Sequence, residues 1–258
     1  MWKWEAEYPR GVVVIVHGAA EHHGRYRWLI EMWRSIGMNV VMGDLPGQGL
    51  TTRRRGHIHS FEEYVKEIER WVEEAQGYDL PIFLLGHSMG ALAVIRTLQE
   101  RSLPIWGAIL SSPCLGLKEQ PPSYMDVLSK GLNKLRPGML FDSNLRIEDA
   151  TRNLDIRETD MNDSLYVTKV SVRWYRELVE AMNQAFKNIE KLPDVPLLVM
   201  QGGDDKIVEK LIVKQWFDEL DLSEKIYKEW PQLYHEIFNE PERDQVFLYA
   251  KSFVDVHI

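Results

Sequence analysis

Apolar positions along the chain fall into two kinds of run, and the way these alternate predicts the architecture. Residues 11–16 (GVVVIV) form a continuous β-branched run with no polar break, the pattern of a strand covered on both faces. Residues 40–42, 82–85, 106–110 and 196–200 read the same way. Between them apolar residues recur at helical spacing. Trp28, Leu29, Met32, Trp33 and Ile36 form one stripe, and Tyr64, Val65, Ile68 and Trp71/Val72 form another on a helix predicted over 61–75. Residues 2–7 alternate and predict an edge strand. Towards the C-terminus the pattern predicts a helix over 208–220, a short strand over 225–230 and a closing helix over 241–256. Strand followed by helix, repeated, is the order of an α/β, mostly parallel, doubly wound sheet.

The alternation breaks between residues 113 and 192. That stretch holds Pro121-Pro122 and Pro137-Gly138, helical segments and no strand-like run. Its clearest helix spans 170–189, where Val170, Trp174, Leu178, Ala181/Met182, Ala185 and Ile189 share one face. An insertion of this length between two core strands predicts a helical cap. The expected division is a core over 1–112, a cap over 113–192 and the rest of the core over 193–258.

The peptide Gly86-His87-Ser88-Met89-Gly90 joins the apolar run at 82–85 to a run of good helix formers. Gly-x-Ser-x-Gly in that setting predicts a strand–turn–helix elbow. Such a turn lifts the serine hydroxyl clear of the sheet, at the N-terminus of the helix. Gly86 and Gly90 are required because a Cβ at either would crowd strand or helix against the turn. A serine hydroxyl needs a base within hydrogen-bond reach and an acid to orient that base, and after an elbow they follow in the order Ser, Asp/Glu, His. Only His235 and His257 lie downstream of Ser88, and His257 is the penultimate residue at the end of a predicted helix. His235 sits in a loop after the last predicted strand and is the expected base. The acid should follow the strand at 196–200, where Asp204 and Asp205 stand side by side. One can orient the imidazole while the other caps the next helix. Asp205 is assigned as the acid, with Asp204 the alternative. The backbone N–H of Met89 and that of Ala19, in the loop His17-Gly18-Ala19-Ala20, are the expected oxyanion donors. His17, His22 and His23 cluster in sequence, but no carboxylate or cysteine stands at a metal-ligand spacing such as HExxH, so no metal is expected.

Composition narrows the setting. With 31 basic and 39 acidic side chains the net charge of −8 argues against a nucleic-acid partner. The single cysteine, Cys114, allows no internal disulfide and is expected to be a small buried residue. There is no secretory apolar region, and no apolar run nears the roughly 20 residues that span a bilayer. A cytoplasmic protein is expected, with any membrane contact peripheral.

The chain resembles the monoacylglycerol lipase/lysophospholipase branch of the α/β hydrolases. The resemblance rests on His17-Gly18-Ala19-Ala20-Glu21-His22 with Arg25-Tyr26, on Asp44-Leu45-Pro46-Gly47-Gln48-Gly49, and on Arg55-Gly56-His57-Ile58. It continues through the elbow, Gln201-Gly202-Gly203-Asp204-Asp205-Lys206-Ile207-Val208, and Tyr234-His235-Glu236. It implies the α/β-hydrolase fold and a serine hydrolase of single-chain acyl lipids working without metal or organic cofactor. By position it assigns Ser88, Asp205 and His235 as the triad and Ala19 with Met89 as oxyanion donors. Two positions depart from the family pattern, Ala91 and Ala20, each standing where glycine is usual. Only about ten residues precede the first core strand, so one strand fewer than the family's usual sheet is expected.

The insertion is rich in Met125, Leu128, Leu132, Leu135, Met139, Leu140, Phe141, Met161, Trp174, Met182 and Phe186. Such residues either line an acyl-chain tunnel or pack the cap on the core. Arg53-Arg54-Arg55 reads as a phosphate-steering patch or as a solvated loop. The same machinery would serve another ester, a thioester or a peptide. A non-catalytic lipid-binding protein is the reading from another class, and it has no need of a complete triad and oxyanion set.

Overall fold

The computed structural model describes residues 1–51, 54–119 and 123–258, with only the backbone described over 123–128. Arg53, Pro121-Pro122 and the side chains of Met125 and Leu128, singled out above, therefore lie outside what is described. In chain order the first half comprises β1 (Trp2–Trp4), β2 (Gly11–Val16), α1 (Arg27–Ser35), β3 (Met38–Met42), α2 (Glu62–Gln76), β4 (Ile82–His87), α3 (Met89–Glu100) and β5 (Gly107–Ser111). Then follow α4 (Ser123–Leu135), β6 (Leu140–Asp142), α5 (Ile147–Ala150), α6 (Leu154–Met161), β7 (Lys169–Ser171) and α7 (Val172–Lys187). The chain closes with β8 (Leu197–Gly202), α8 (Lys210–Glu219), β9 (Lys225–Trp230) and α9 (Arg243–Asp255).

Among the described residues the central sheet has seven strands in the order β1-β3-β2-β4-β5-β8-β9, all parallel except β1. The edge strand β1 pairs antiparallel with β3 through Trp2↔Met42. It is shorter than the alternation at 2–7 predicts, because by Ala6 the backbone N–H has turned to the Asn39 side chain, 2.8 Å away. Among the described residues, β1 is the strand that precedes β2.

Strand periodicity divides the core in two. Val12, Val14 and Val16 face α2, α3 and α8, packing with Tyr64, Ile68, Trp71, Leu92 and Trp216. Val13 and Ile15 face the opposite side with Val40, Met42, Phe83 and Leu198, under Leu29, Ile30 and Trp33 of α1 and Phe247 and Phe253 of α9. The unbroken β-branched run at 11–16 is thus a strand with helices on both faces.

Residues 113–192 run between β5 and β8, which pair directly with each other. This segment is not purely helical, which corrects the expectation of no strand there. β6 and β7 form a two-stranded antiparallel ribbon, with Leu140 opposite Ser171 and Asp142 opposite Lys169. Three-residue strands carry too little periodicity to be read, and their pairing spans a separation no local pattern reports. The helix expected over 170–189 is present as α7. Trp174, Leu178, Ala181, Met182 and Ala185 of α7 pack into the core cluster beside α3. Leu135, Met139, Leu140, Phe141 and Met161 are exposed instead. The apolar residues of this segment therefore split between packing and solvent.

Trp33 is fully buried and meets the Phe247 ring edge-on at 5.0 Å, joining α1 to α9 over the sheet. Trp33→Ala is expected to cost about 3–5 kcal/mol of stability, read as a lower denaturant midpoint with an unchanged slope.

Candidate active site

Ser88 is the residue between β4 and α3, with φ 52° and ψ −118°. The left-handed region is unfavourable for any residue with a Cβ, by about 1–3 kcal/mol. The conformation is held from both sides. Ser88 N–H donates to Ser111 O at 2.9 Å, while Ser88 O accepts from Leu92 N–H at 3.0 Å and Cys114 N–H at 3.1 Å. A Cβ on Gly90 would lie 2.3 Å from Val16 O, and one on Gly86 would lie 2.6 Å from the Cα of Ala91. Both glycines are thus demanded by close backbone approach, as the elbow pattern implied.

His235 and Asp205 meet across the sheet's C-terminal edge. His235 Nδ1 lies 2.8 Å from Asp205 Oδ2, and both residues are buried. Asp205 makes more of its carboxylate than the sequence reading allowed. Its Oδ2 also accepts from Gln201 Nε2 at 2.8 Å, and its Oδ1 accepts from the N–H groups of Ile207 at 2.8 Å and Val208 at 2.9 Å. One aspartate therefore both orients the imidazole and closes the turn that follows. Asp204 is exposed and uses its N–H on Leu233 O. Helix α8 starts later and is capped by Glu209, whose carboxylate accepts from Leu211 N–H. Burial alone would raise the Asp205 carboxyl, but His235 and the hydrogen bonds outweigh it and hold it below its ordinary value. Burial likewise opposes charge on His235, yet Asp205 beside it leaves the imidazole above its ordinary value. His257 is elsewhere, bonded to Phe253 O and Glu224.

The loop His17-Gly18-Ala19-Ala20 lies against the elbow, since a Cβ on Gly18 would come within 3.2 Å of the Ser88 Cβ. His17 Nε2 accepts from Leu45 N–H at 2.9 Å, so its Nδ1–H donates to Gly18 O at 2.8 Å. Burial holds this imidazole below its ordinary value, hence neutral. Glu21 Oε2 accepts from Gly18 N–H at 2.5 Å and from Tyr26 Oη at 2.7 Å. Ala19 is left at the loop's turn. Met89 opens α3, and the first N–H groups of a helix have no partner within it.

The structure adds residues for which the pattern gave no role. The buried Arg25 guanidinium is ringed by Glu21, Asp160 of α6 and Glu236, with Nε 2.8 Å from Asp160 Oδ1 and a terminal nitrogen 2.9 Å from Glu236 Oε2. This cluster ties the Ala19 loop, the inserted segment and the residue after His235 together. Burial would raise the Glu236 carboxyl, but Arg25 more than reverses that and keeps it ionised. Glu21 and Arg25 stand at helical i, i+4 spacing, a local signal; Asp160 and Glu236 give none.

Glu21, His87 and Glu236 each bring one ligand-type atom within 4.8 Å of the others, beside a cavity of about 20 Å³. That volume holds a single water. Arg25 already supplies the positive charge there, and a cation would stand against it. His87 packs against His235 with ring centroids 4.9 Å apart, and burial with that neighbour pushes it down to about 3, so it stays uncharged. His22 and His23 do not converge with His17: the first pairs with Asp163, the second with Asp44 under the Trp2 ring. Burial pushes the Cys114 thiol up to about 12, which leaves it no part as a nucleophile. Arg54 is bonded to Gly138 O, and Arg55 to the carbonyls of Ser164 and Leu165, so both hold the inserted segment. Among the described residues, no helix is long and apolar enough to cross a membrane.

The chain is 57% identical to Phospholipase YtpA of Bacillus subtilis over 100% of both chains. It is 28% identical to a monoacylglycerol lipase of Mycolicibacterium smegmatis, covering 97% of this chain and 90% of that one. The crystal structure of Paleococcus ferrophilus monoacylglycerol lipase superposes with a TM-score of 0.90 at 32% identity, over 100% of this chain and 99% of that one. The family described as Serine aminopeptidase, S33 matches residues 7–242. By its sheet, its elbow and these matches, the chain belongs to that family of α/β-hydrolase enzymes.

Proposed function

We propose that the protein is a serine hydrolase that cleaves carboxylic esters of single-chain acyl lipids, a monoacylglycerol or a lysophospholipid, through an acyl-enzyme. The observation that carries the reading is the buried His235–Asp205 bond at 2.8 Å, on the same sheet edge as a serine at φ 52°. In the proposed reaction His235 takes the Ser88 proton as Ser88 attacks the acyl carbonyl, and Asp205 stabilises the imidazolium. The N–H groups of Ala19 and Met89 hold the oxyanion. His235 then protonates the departing alcohol, and water activated by the same imidazole releases the fatty acid. The names of the relatives, a phospholipase and monoacylglycerol lipases, support acyl lipids as the substrate class.

In this reading residues 113–192 are the cap, with α7 docked on the core and the stretch through β6 carrying exposed apolar side chains. Leu135, Met139, Leu140 and Phe141 would meet aggregated lipid at a peripheral membrane contact.

Fatty-acid release from a long-chain monoacylglycerol and a matched lysophospholipid tests the reading. Ser88→Ala is expected to abolish both while leaving the thermal midpoint unchanged; full activity in that variant would discard the proposed nucleophile. Asp205→Asn should lower kcat by about 10⁴-fold, whereas Asp204→Asn should leave it within about twofold because its carboxylate is exposed. His235 must be neutral to act as base, so activity is lost as pH falls through its pKa. Since Asp205 raises that pKa, the acid limb of kcat/KM is expected above the ordinary histidine value of about 6.5. A limb below that value would contradict the assignment. Paired Leu140→Ser and Phe141→Ser substitutions should slow hydrolysis of vesicle-borne substrate and spare a soluble short-chain ester.

A further inference from the structure

The turn leaving β5 bonds directly to Ser88 and His235 of the proposed triad, and to the strand that carries Asp205's partner Gln201. The Ser111 carbonyl accepts the Ser88 N–H, and the Cys114 N–H donates to the Ser88 carbonyl, so residues 111–114 grip the nucleophile's backbone on both sides. Between them, Ser112 N–H donates to Met200 O of β8 at 2.8 Å. The next residue there is Gln201, whose amide donates to Asp205. The Ser112 hydroxyl lies 2.8 Å from the main-chain carbonyl of His235 and donates to it.

Ser112 is fully buried and has φ 43°. Glycine takes the left-handed region without penalty, whereas serine is disfavoured there. A residue that keeps its Cβ in this position contributes something glycine lacks, and here that is a hydroxyl with a definite partner. Other ties of the His235 loop run towards different parts of the molecule. Glu236 N–H donates to Ala150 O in the inserted segment, and the Glu236 carboxylate pairs with Arg25. The Ser112 hydroxyl instead ties the base to the turn that grips the nucleophile.

We propose that Ser112 is a positioning residue for the hydrolysis: its hydroxyl fixes the His235 main chain relative to Ser88, so that the imidazole meets the serine hydroxyl. This rests on the triad reading above. The role acts on alignment, and it therefore falls on the chemical step and not on substrate binding.

The test compares wild type, Ser112→Gly, Ser112→Ala and Ser88→Ala. Readouts are kcat and KM on a soluble p-nitrophenyl ester, the rate of fluorophosphonate labelling, and the thermal midpoint. Ser112→Gly removes the hydroxyl and relieves the backbone, so its midpoint should be no lower than wild type. Its kcat should nonetheless fall about 10- to 100-fold, with KM within about twofold and labelling slowed in step. Ser112→Ala should show the same kinetic loss, and if it does not fold the glycine variant decides. Wild-type kcat and labelling in Ser112→Gly would overturn the proposal, as would a lowered midpoint with kcat intact. A wild-type protein neither active nor labelled would overturn the triad reading itself, and this inference with it.

Discussion

The contact on which this molecule depends is the one between the start of α3 and the end of β2. Gly90 has no Cβ, so its backbone lies against the carbonyls of Val16 and His17, and only then does the chain reverse tightly enough to hold Ser88 at φ 52°. The surrounding hydrogen bonds over-determine that conformation, which is how a strained residue persists in a folded protein. Parallel strands supply the rest of the geometry. They deliver the loops after β2, β4, β5 and β8 to one edge, so the Ala19 loop, the elbow, the turn at Ser112 and Asp205 converge without any of them reaching far.

Around that edge three buried charged groups stitch the loops, each with several partners. Asp205 serves the imidazole, the Gln201 amide and two backbone N–H groups at once. Asp44 serves the backbone and ring of His23 and the N–H of Leu50. Arg25 stands among three carboxylates from three separate stretches of chain. Buried ion clusters of this kind are weak sources of net stability, because desolvation offsets much of the attraction. What they supply here is a defined relation between loops that would otherwise be joined only through the sheet.

The inserted segment is held unevenly. Its later part is fastened by Arg25 to Asp160, by His22 to Asp163, and by backbone bonds from Val167 to Ala20 and from Ser171 to Gly56. Arg55 adds bonds to the carbonyls of Ser164 and Leu165 there, while Arg54 reaches Gly138 O, before β6. The stretch from Leu135 to Phe141 is tied by its backbone to Arg54 and to the start of α7, and turns its large apolar side chains to solvent. The later part adjoins the His235 loop, and the apolar part faces outward.

Much of this was legible from local pattern. The β-branched run at 11–16, the helical stripes on either side and the elbow peptide are short-range signals with direct physical causes, and they define a doubly wound sheet with a serine at a tight turn. Of the two downstream histidines, His257 was set aside by its place at the chain end of a predicted helix, which left His235 and the Asp204/Asp205 pair to weigh as partners. Tertiary structure alone decided that Asp205 has both roles, because a carboxylate's two oxygens can face different partners only once the loop is folded. It alone brought Asp160 and Glu236 to Arg25, paired β6 with β7, and turned the Ser112 hydroxyl towards His235. These contacts join residues far apart in the chain, and no periodicity or neighbouring residue records such a pairing. Sequence by itself determined which groups exist and the elements that carry them; the packed sheet decided which of those groups meet.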